Sequence, residues 1–206
     1  MFTVGPLQEN CYLVRQDGSD RALLIDPGEE APRLLSAMDE LGVQPEAILL
    51  THTHFDHIGA VAPIARATGA PVHCPRDELR VLAQPEIFVP PMFGTVEAWD
   101  AEEPLDGGDR LELAGLHIDV ISTPGHSPGH VTFAIDGALF SGDVLFQGSV
   151  GRTDLPGGDH PTLMASIAAL LERFDDDTKV HPGHMGLTTL GRERATNPFL
   201  QALAGR

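Results

Sequence analysis

His52, His54, Asp56 and His57 fall within six residues of the stretch THTHFDH (51–57), directly after the apolar run AILL. Neutral imidazole nitrogen and carboxylate oxygen are donors that zinc, iron and manganese all accept, at roughly 2.0–2.2 Å for zinc. Side chains two apart in an extended segment share a face, so His52 and His54 project together from the end of a strand. A turn at Phe55 then presents Asp56 and His57 from a second direction, where a helix is expected to begin near Ile58. Two pairs of donors aimed at one volume suit two adjacent cations. The competing explanation, a solvated polar turn, accounts for one histidine more readily than for four donors packed this tightly.

Further candidates stand where other strands end. ISTPGHSPGH places His126 after a strand and a Pro-Gly turn, LFSGDVLF places Asp143 between two apolar runs, and TKVHPGH offers His181 or His184. Spacing alone leaves those last two histidines open, and Asp143 taken singly reads equally well as a turn residue bonding to nearby backbone. His130 and His181 lie close enough to these candidates to act as donors that orient a ligand. His73 and His117 alternate with apolar neighbours and are expected to be packed strand residues; His160 reads as a loop residue.

These groups need a frame that brings several strand ends together. CYLV (11–14), RALLID (21–26), AILLTH (47–52) and PVHCP (71–75) read as strands, the second ending on the turn signal DPG. Leu34, Leu35, Met38 and Leu41 recur at helical spacing before Gly42, and 59–70 reads as a second helix. RLELAG, LHIDVIST, HVTFAID and GALFSGD then give a series of short strands with Gly-containing turns. Leu163, Ile167, Leu170, Leu171 and Phe174 mark a helix, and a last helix is expected near 191–204. The proline- and acid-rich segment 84–108 is either a surface connection or a lid. Both halves run strands then helix, which predicts two packed sheets with helices outside, a four-layer α/β arrangement. A length of 206 residues favours one domain spanning 1–206.

Thirteen Lys and Arg against thirty Asp and Glu give a formal charge of −17, a field that repels a phosphate backbone, so nucleic acid is not an expected partner. Cys11 and Cys74 cannot build a disulfide framework, match no paired zinc-ligand spacing, and are expected to be reduced and buried. No basic segment followed by an apolar core opens the sequence, and no run approaches the about 20 apolar residues that span a bilayer. A cytoplasmic protein without membrane contact is expected.

THTHFDH, TPGHSPGH, FSGDVLF and HPGH, in this order, resemble the signature set of the metallo-β-lactamase-fold hydrolases, most closely the glyoxalase II-like (hydroxyacylglutathione hydrolase-like) branch. The likeness runs across most of the chain and implies that branch's four-layer αββα sandwich. Carried over residue by residue, it implies one metal site of His52, His54 and His126, another of Asp56, His57 and His184, and Asp143 shared; it selects His184 over His181. It implies two divalent cations, zinc foremost with iron or manganese as alternatives, and hydrolysis by hydroxide held between them. Asp56 would both coordinate and orient that nucleophile as the catalytic carboxylate.

The substrate implied is a small anionic thioester such as S-lactoylglutathione. Arg152, in GSVGRTDLPGGD, falls where the branch carries a basic residue that contacts the glycine carboxylate of glutathione; the alternative is an arginine bound to Asp154 or to loop carbonyls. Two departures bear on this. The sequence lacks the helical carboxyl-terminal region of longer members, which makes a short form the expectation, and Met185 and Gly186 stand where a substrate-binding tyrosine is frequent. The rival readings are a mononuclear-iron persulfide dioxygenase held by His52, His126 and Asp143, and a metal-stabilised binding module without chemistry. Nuclease and antibiotic-hydrolysing members of the fold rank lower, the first because of the charge.

Overall fold

Alternation along the strands decides the layering. In the computed structural model, which describes residues 1–89 and 94–204, the first sheet is built from β1 (Phe2–Val4), β2 (Glu9–Val14), β3 (Arg21–Ile25), β4 (Gln44–Leu49), β5 (Val72–Pro75) and β6 (Glu103–Leu105), in that spatial order. On β3 and β4, Leu23, Ile25, Ala47 and Leu49 face one side while Ala22, Leu24 and Ile48 face the other. Both faces are therefore apolar, which is why RALLI and AILL read as continuous hydrophobic runs. β1, β2 and β3 pair antiparallel, whereas β3 to β6 run parallel.

The second half supplies β7 (Arg110–Leu113), β8 (Leu116–Ser122), β9 (Val131–Ile135), β10 (Ala138–Gly142), a small ribbon of β11 (Leu145–Phe146) and β12 (Ser149–Val150), β13 (Lys179–Pro182) and β14 (Thr188–Thr189). Its sheet has the order β14-β13-β10-β9-β8-β7, with β10 and β13 parallel and the other pairs antiparallel. Leu116, Ile118, Val120, Val131, Phe133 and Ile135 meet Leu23, Ile25 and Leu49 of the first sheet in one central core.

Helices cover the outer faces. α1 (Ala31–Leu41) and α3 (Val61–Thr68) lay Leu34, Met38, Val61 and Ile64 on the first sheet, and Gly42, in the left-handed region at φ 62°, ends α1 by donating its N–H to the carbonyls of Asp39 and Met38. On the other side α6 (His160–Arg173) packs Leu163, Ile167 and Leu170, and Asp159 caps it by accepting from the Thr162 N–H. The result is the four-layer helix-sheet-sheet-helix sandwich expected from the sequence. No helix among the described residues is long and apolar enough to cross a membrane.

Several expectations are corrected. The helix placed near Ile58 begins at Phe55 as the single turn α2 (Phe55–Ile58), so Asp56 and His57 are helical, and α3 follows only from Val61. Segment 84–108 is not one loop: after the 3-10 turn Arg76–Glu78 and α4 (Leu79–Ala83) come α5 (Pro85–Phe88) and β6, which pairs with β5. Residues 90–93 of that segment lie outside the described residues. The last helix is two, α7 (Leu190–Thr196) and α8 (Pro198–Ala204), because Pro198 biases Asn197 away from helical dihedrals. His117 is exposed, facing Glu112 across the outer edge of the second sheet, and His160 opens α6 rather than sitting in a loop. His73, Cys11 and Cys74 are buried as expected.

Phe133 is the bulkiest fully enclosed side chain of the central core. Phe133→Ala is expected to cost about 3–5 kcal/mol in denaturant unfolding; a cost below about 1 kcal/mol would mean that the two sheets do not pack tightly at this point.

Candidate metal centre

The candidate donors follow the carboxyl ends of strands that finish at one rim of the sandwich. β3 ends before Asp26, β4 before Thr51–His54, β8 before His126, β10 before Asp143 and β13 before His184. Backbone bonds tie these ends together across the sheets: the Val131 N–H donates to the Thr51 carbonyl at 2.9 Å and the Asn10 N–H to that of Gly183 at 2.7 Å.

His52, His54 and His126 form one group. His52 Nε2 lies 3.1 Å from His54 Nδ1, which is 2.7 Å from His126 Nε2; two donors on one tetrahedral ion at ~2.0–2.1 Å would stand about 3.3 Å apart. The outer nitrogens are committed. Thr51 Oγ1 spends its proton on Asp26 Oδ2 at 2.6 Å, so His52 Nδ1 must donate to Thr51 Oγ1 at 3.0 Å, and His126 Nδ1 donates to the Arg152 carbonyl at 2.7 Å. Both Nε2 atoms thus present lone pairs to the same point. Burial foremost, then the neighbouring rings of His126 and His57, push the His54 pKa down to about 4; burial likewise holds His52 and His126 below the usual imidazole value.

Asp56, His57 and His184 form the second group, with Asp143 between the two. His184 Nε2 lies 3.3 Å from Asp56 Oδ2 and 3.5 Å from Asp143 Oδ2, His57 Nε2 lies 3.4 Å from Asp143 Oδ1, and His126 Nε2 lies 3.4 Å from Asp143 Oδ2. His57 Nδ1 donates to Asp26 Oδ2 at 3.1 Å, which turns Nε2 toward Asp143. Burial opposes charge on Asp143, but His57, His126 and His184 outweigh it and hold the carboxyl well below the usual carboxylate range. Burial also disfavours a charged His57, and there Asp143, Asp26 and Asp56 prevail and raise it.

The donor set fits divalent cations on an observation internal to the fold: His57 Nε2 and Asp143 Oδ1 are buried without a hydrogen-bond partner although they face each other. A cation between them would satisfy both, as it would the converging lone pairs of the three-histidine group. Metal-binding histidine and aspartate clusters are thus present, and all seven residues predicted from the sequence are brought together.

Among the supporting residues, Asp26, Glu78 and Glu9 are ones the sequence reading missed. Asp26, taken there as part of a turn signal, is buried and accepts from the Thr51 N–H at 2.7 Å, from Thr51 Oγ1 and from His57. Glu78 is buried and accepts from Thr53 Oγ1 at 2.5 Å, Ser127 Oγ at 2.6 Å and the Gly129 N–H at 2.9 Å, clamping the loop of His52 and His54 to that of His126. Glu9, wholly buried with Oε1 3.8 Å from His57 Nδ1, has its pKa raised by burial. His130, named from the sequence as an orienting candidate, donates to Thr123 and accepts the Asp143 N–H on Nε2 at 3.1 Å. His181 instead stacks on Phe140 with ring centres 4.7 Å apart, away from the cluster. Gly183 is required by space, since a Cβ there would stand 2.3 Å from Asp143 Oδ1.

A cavity of about 1170 Å³ opens over His54, Asp56, His126, Asp143 and His184, with Leu7, Val81, Phe88, Phe146, Leu155 and Met185 among its apolar walls. Arg152 lines it, yet its guanidinium grips Asp154 through Nε and Nη2, each at 2.7 Å.

Residues 4–184 match the family model described as the metallo-beta-lactamase superfamily. The hydroxyacylglutathione hydrolase GloC of Haemophilus influenzae is 36% identical over 98% of this chain and 97% of its own length. Among solved structures, the BLEG-1 B3 metallo-beta-lactamase superposes with a TM-score of 0.90 at 40% identity, covering 96% of this chain and 97% of that one. TTHA1623 in a di-iron-bound form gives 0.80 at 45% identity, covering 97% and 98%.

Gly183→Ala is expected to weaken metal affinity more than about tenfold while leaving the fold intact, read by elemental analysis beside circular dichroism; wild-type metal content would refute the crowding argument. A second expectation concerns the metal-free protein. His52, His54, His126 and His130 have folded pKa values below the ordinary 6.5, so the unfolded chain takes up protons that the folded chain refuses as pH falls from about 6.5 toward 4. Each such ring removes up to about 1.4 kcal/mol per pH unit. Glu9, with a raised value, offsets one of the four, and the raised His57 and His184 keep their contribution throughout this window. Urea midpoints should therefore fall steadily from pH 6.5 to 4; a flat profile would show that the rings are solvated.

Proposed function

The chain belongs to the metallo-beta-lactamase superfamily, and from that premise we propose that it is a binuclear metal-dependent hydrolase of thioesters, with S-lactoylglutathione the leading substrate. The observation that carries this reading is the pair of donor groups meeting at Asp143. A fully satisfied structural zinc site needs only four ligands, whereas seven donors converge here and five of them, His54, Asp56, His126, Asp143 and His184, line a cavity. Similarity to GloC supports the thioester class.

His52, His54 and His126 would hold one cation, Asp56, His57 and His184 the other, and Asp143 both. Cations bound there supply an acidified water as nucleophile and polarise the substrate carbonyl. Asp56, at the amino end of α2 and hydrogen-bonded to His184, is placed to orient that water and take its proton. Its pKa is lowered, because the hydrogen bond from His184 and the charge of His57 overcome the burial that would raise it. The cavity walls exclude bulk solvent from the reacting carbonyl, and Glu78 and Asp26 keep the imidazoles from turning away. For Arg152 to bind a substrate carboxylate, its guanidinium must give up Asp154.

Likeness to BLEG-1 favours a second reading, hydrolysis of a β-lactam amide by the same centre. Likeness to a di-iron-bound relative leaves iron beside zinc as the metal. One preparation separates these. Two metals per chain, S-lactoylglutathione turnover abolished by a chelator, and losses of more than about a hundredfold in His54→Ala and Asp143→Ala are expected. Unchanged turnover in Asp143→Ala would refute the shared site. Cephalosporin hydrolysis without thioester turnover would select the second reading, and a single iron with oxygen uptake on glutathione persulfide would select dioxygenase chemistry.

A further inference from the structure

We propose that Arg80, not Arg152, grips the remote carboxylate of the substrate, so that the substrate class is a thioester carrying a carboxylate at a distance from the reacting carbonyl. The inference rests on the hydrolase reading above and deepens it.

Arg80 and Arg152 are the arginines that line the cavity among the described residues, and no lysine joins them. Arg152 is already neutralised, since both donors of one edge of its guanidinium are spent on Asp154. Arg76, a turn away from Arg80, is likewise spent on Asp106. The acids nearest Arg80 in sequence do not occupy it: Glu78 is engaged by Thr53, Ser127 and Gly129, and no ion pair joins Arg80 to Asp77. It lies against the ring of Phe88, whose centre is 5.7 Å from the guanidinium carbon. A guanidinium held over an aromatic face keeps its N–H edges free and is oriented for a bidentate carboxylate. In a chain of net charge −17, a cation that lines the cavity over the donor cluster and is joined to no carboxylate among the described residues has an anion to wait for.

The apolar walls set the rest. Val81, on the same helix as Arg80, joins Leu7, Phe146, Leu155 and Met185 as the apolar part of the wall, beside the polar side chains of Gln8, Asp77 and Ser149. A substrate with its thioester at the donor cluster and its carboxylate at Arg80 would lay the uncharged chain between them along this apolar side. At about 1170 Å³ the cavity exceeds the usual range of small-molecule sites, roughly 300–1,000 Å³, which leaves room for such length.

The test compares S-lactoylglutathione with the same thioester esterified at the glycine carboxylate, on metal-loaded wild type, Arg80→Ala and Arg80→Lys. Arg80→Ala should raise KM for the free acid about ten- to a hundredfold with kcat unchanged, leave the KM of the ester as it was, and be partly rescued in Arg80→Lys. Arg80 is exposed, and an unchanged melting temperature verifies that the variant folds. Equal KM values for acid and ester in the wild type, or an Arg80→Ala KM unaltered on the acid, overturn this inference alone. Absence of thioester turnover by the metal-loaded wild type overturns the hydrolase reading and this one with it.

Discussion

A buried carboxylate needs opposite charge, and the site is arranged around Asp143's. Its side chain is almost wholly enclosed at the meeting of the two sheets, within 3.5 Å of the Nε2 atoms of His57, His126 and His184. Several kcal/mol of desolvation per ion would be lost if that charge stood alone. The fold supplies what compensates it and also fixes where it points. His130 accepts its N–H, and the glycines on either side of it in space give room that a methyl group would take: at Gly142 a Cβ would lie 2.4 Å from Thr51 Oγ1.

Neither sheet carries a complete site. Asp26, His52, His54, Asp56 and His57 come from the first, and His126, His130, Asp143 and His184 from the second. The donors reach one another only once Leu23, Ile25 and Leu49 have packed on Val120, Val131 and Phe133 and the strand ends are bonded across the interface. Cation binding is consequently coupled to sheet packing, because any ligand that binds only the assembled state stabilises it by mass action.

What was legible in the sequence follows from what periodicity and residue type encode. Leu34 and Met38 mark the buried stripe of α1, and four short motifs mark the strand ends that carry donors, so the layering and most of the clustered residues could be read in advance, while only the family resemblance chose His184 over His181. Residues whose role depends on a partner far along the chain could not. Asp26 looks like the start of a turn, and only the parallel pairing of β3 with β4 sets it beside Thr51 and His57. Glu78 sits in the charged stretch RDELR (76–80), which resembles a solvated surface, yet it is buried between two loops. His117 shows the converse failure: alternation places it on a strand, but which face is covered depends on where the helices end.

Arg152 separates two kinds of inference from resemblance. Its carbonyl, held by the backbone of the loop after β12, orients His126, and that role survives any change of side chain that leaves the loop in place. A side-chain role is set by local competition, here with Asp154 two residues away, whose carboxyl is drawn down to about 2 by the bonds from Arg152. The same competition governs how an acidic protein can take an anionic substrate. Charges more than about 8 Å away are screened at physiological salt, so the surface excess of acid matters less than the groups inside the cavity. Two carboxylates among seven donors would leave a site filled with divalent cations positive, and the guanidinium of Arg80, joined to no carboxylate among the described residues, adds to that field at a second point. Two separated positive points, rather than a diffuse basic surface, select a molecule by the distance between its reacting carbonyl and its charge.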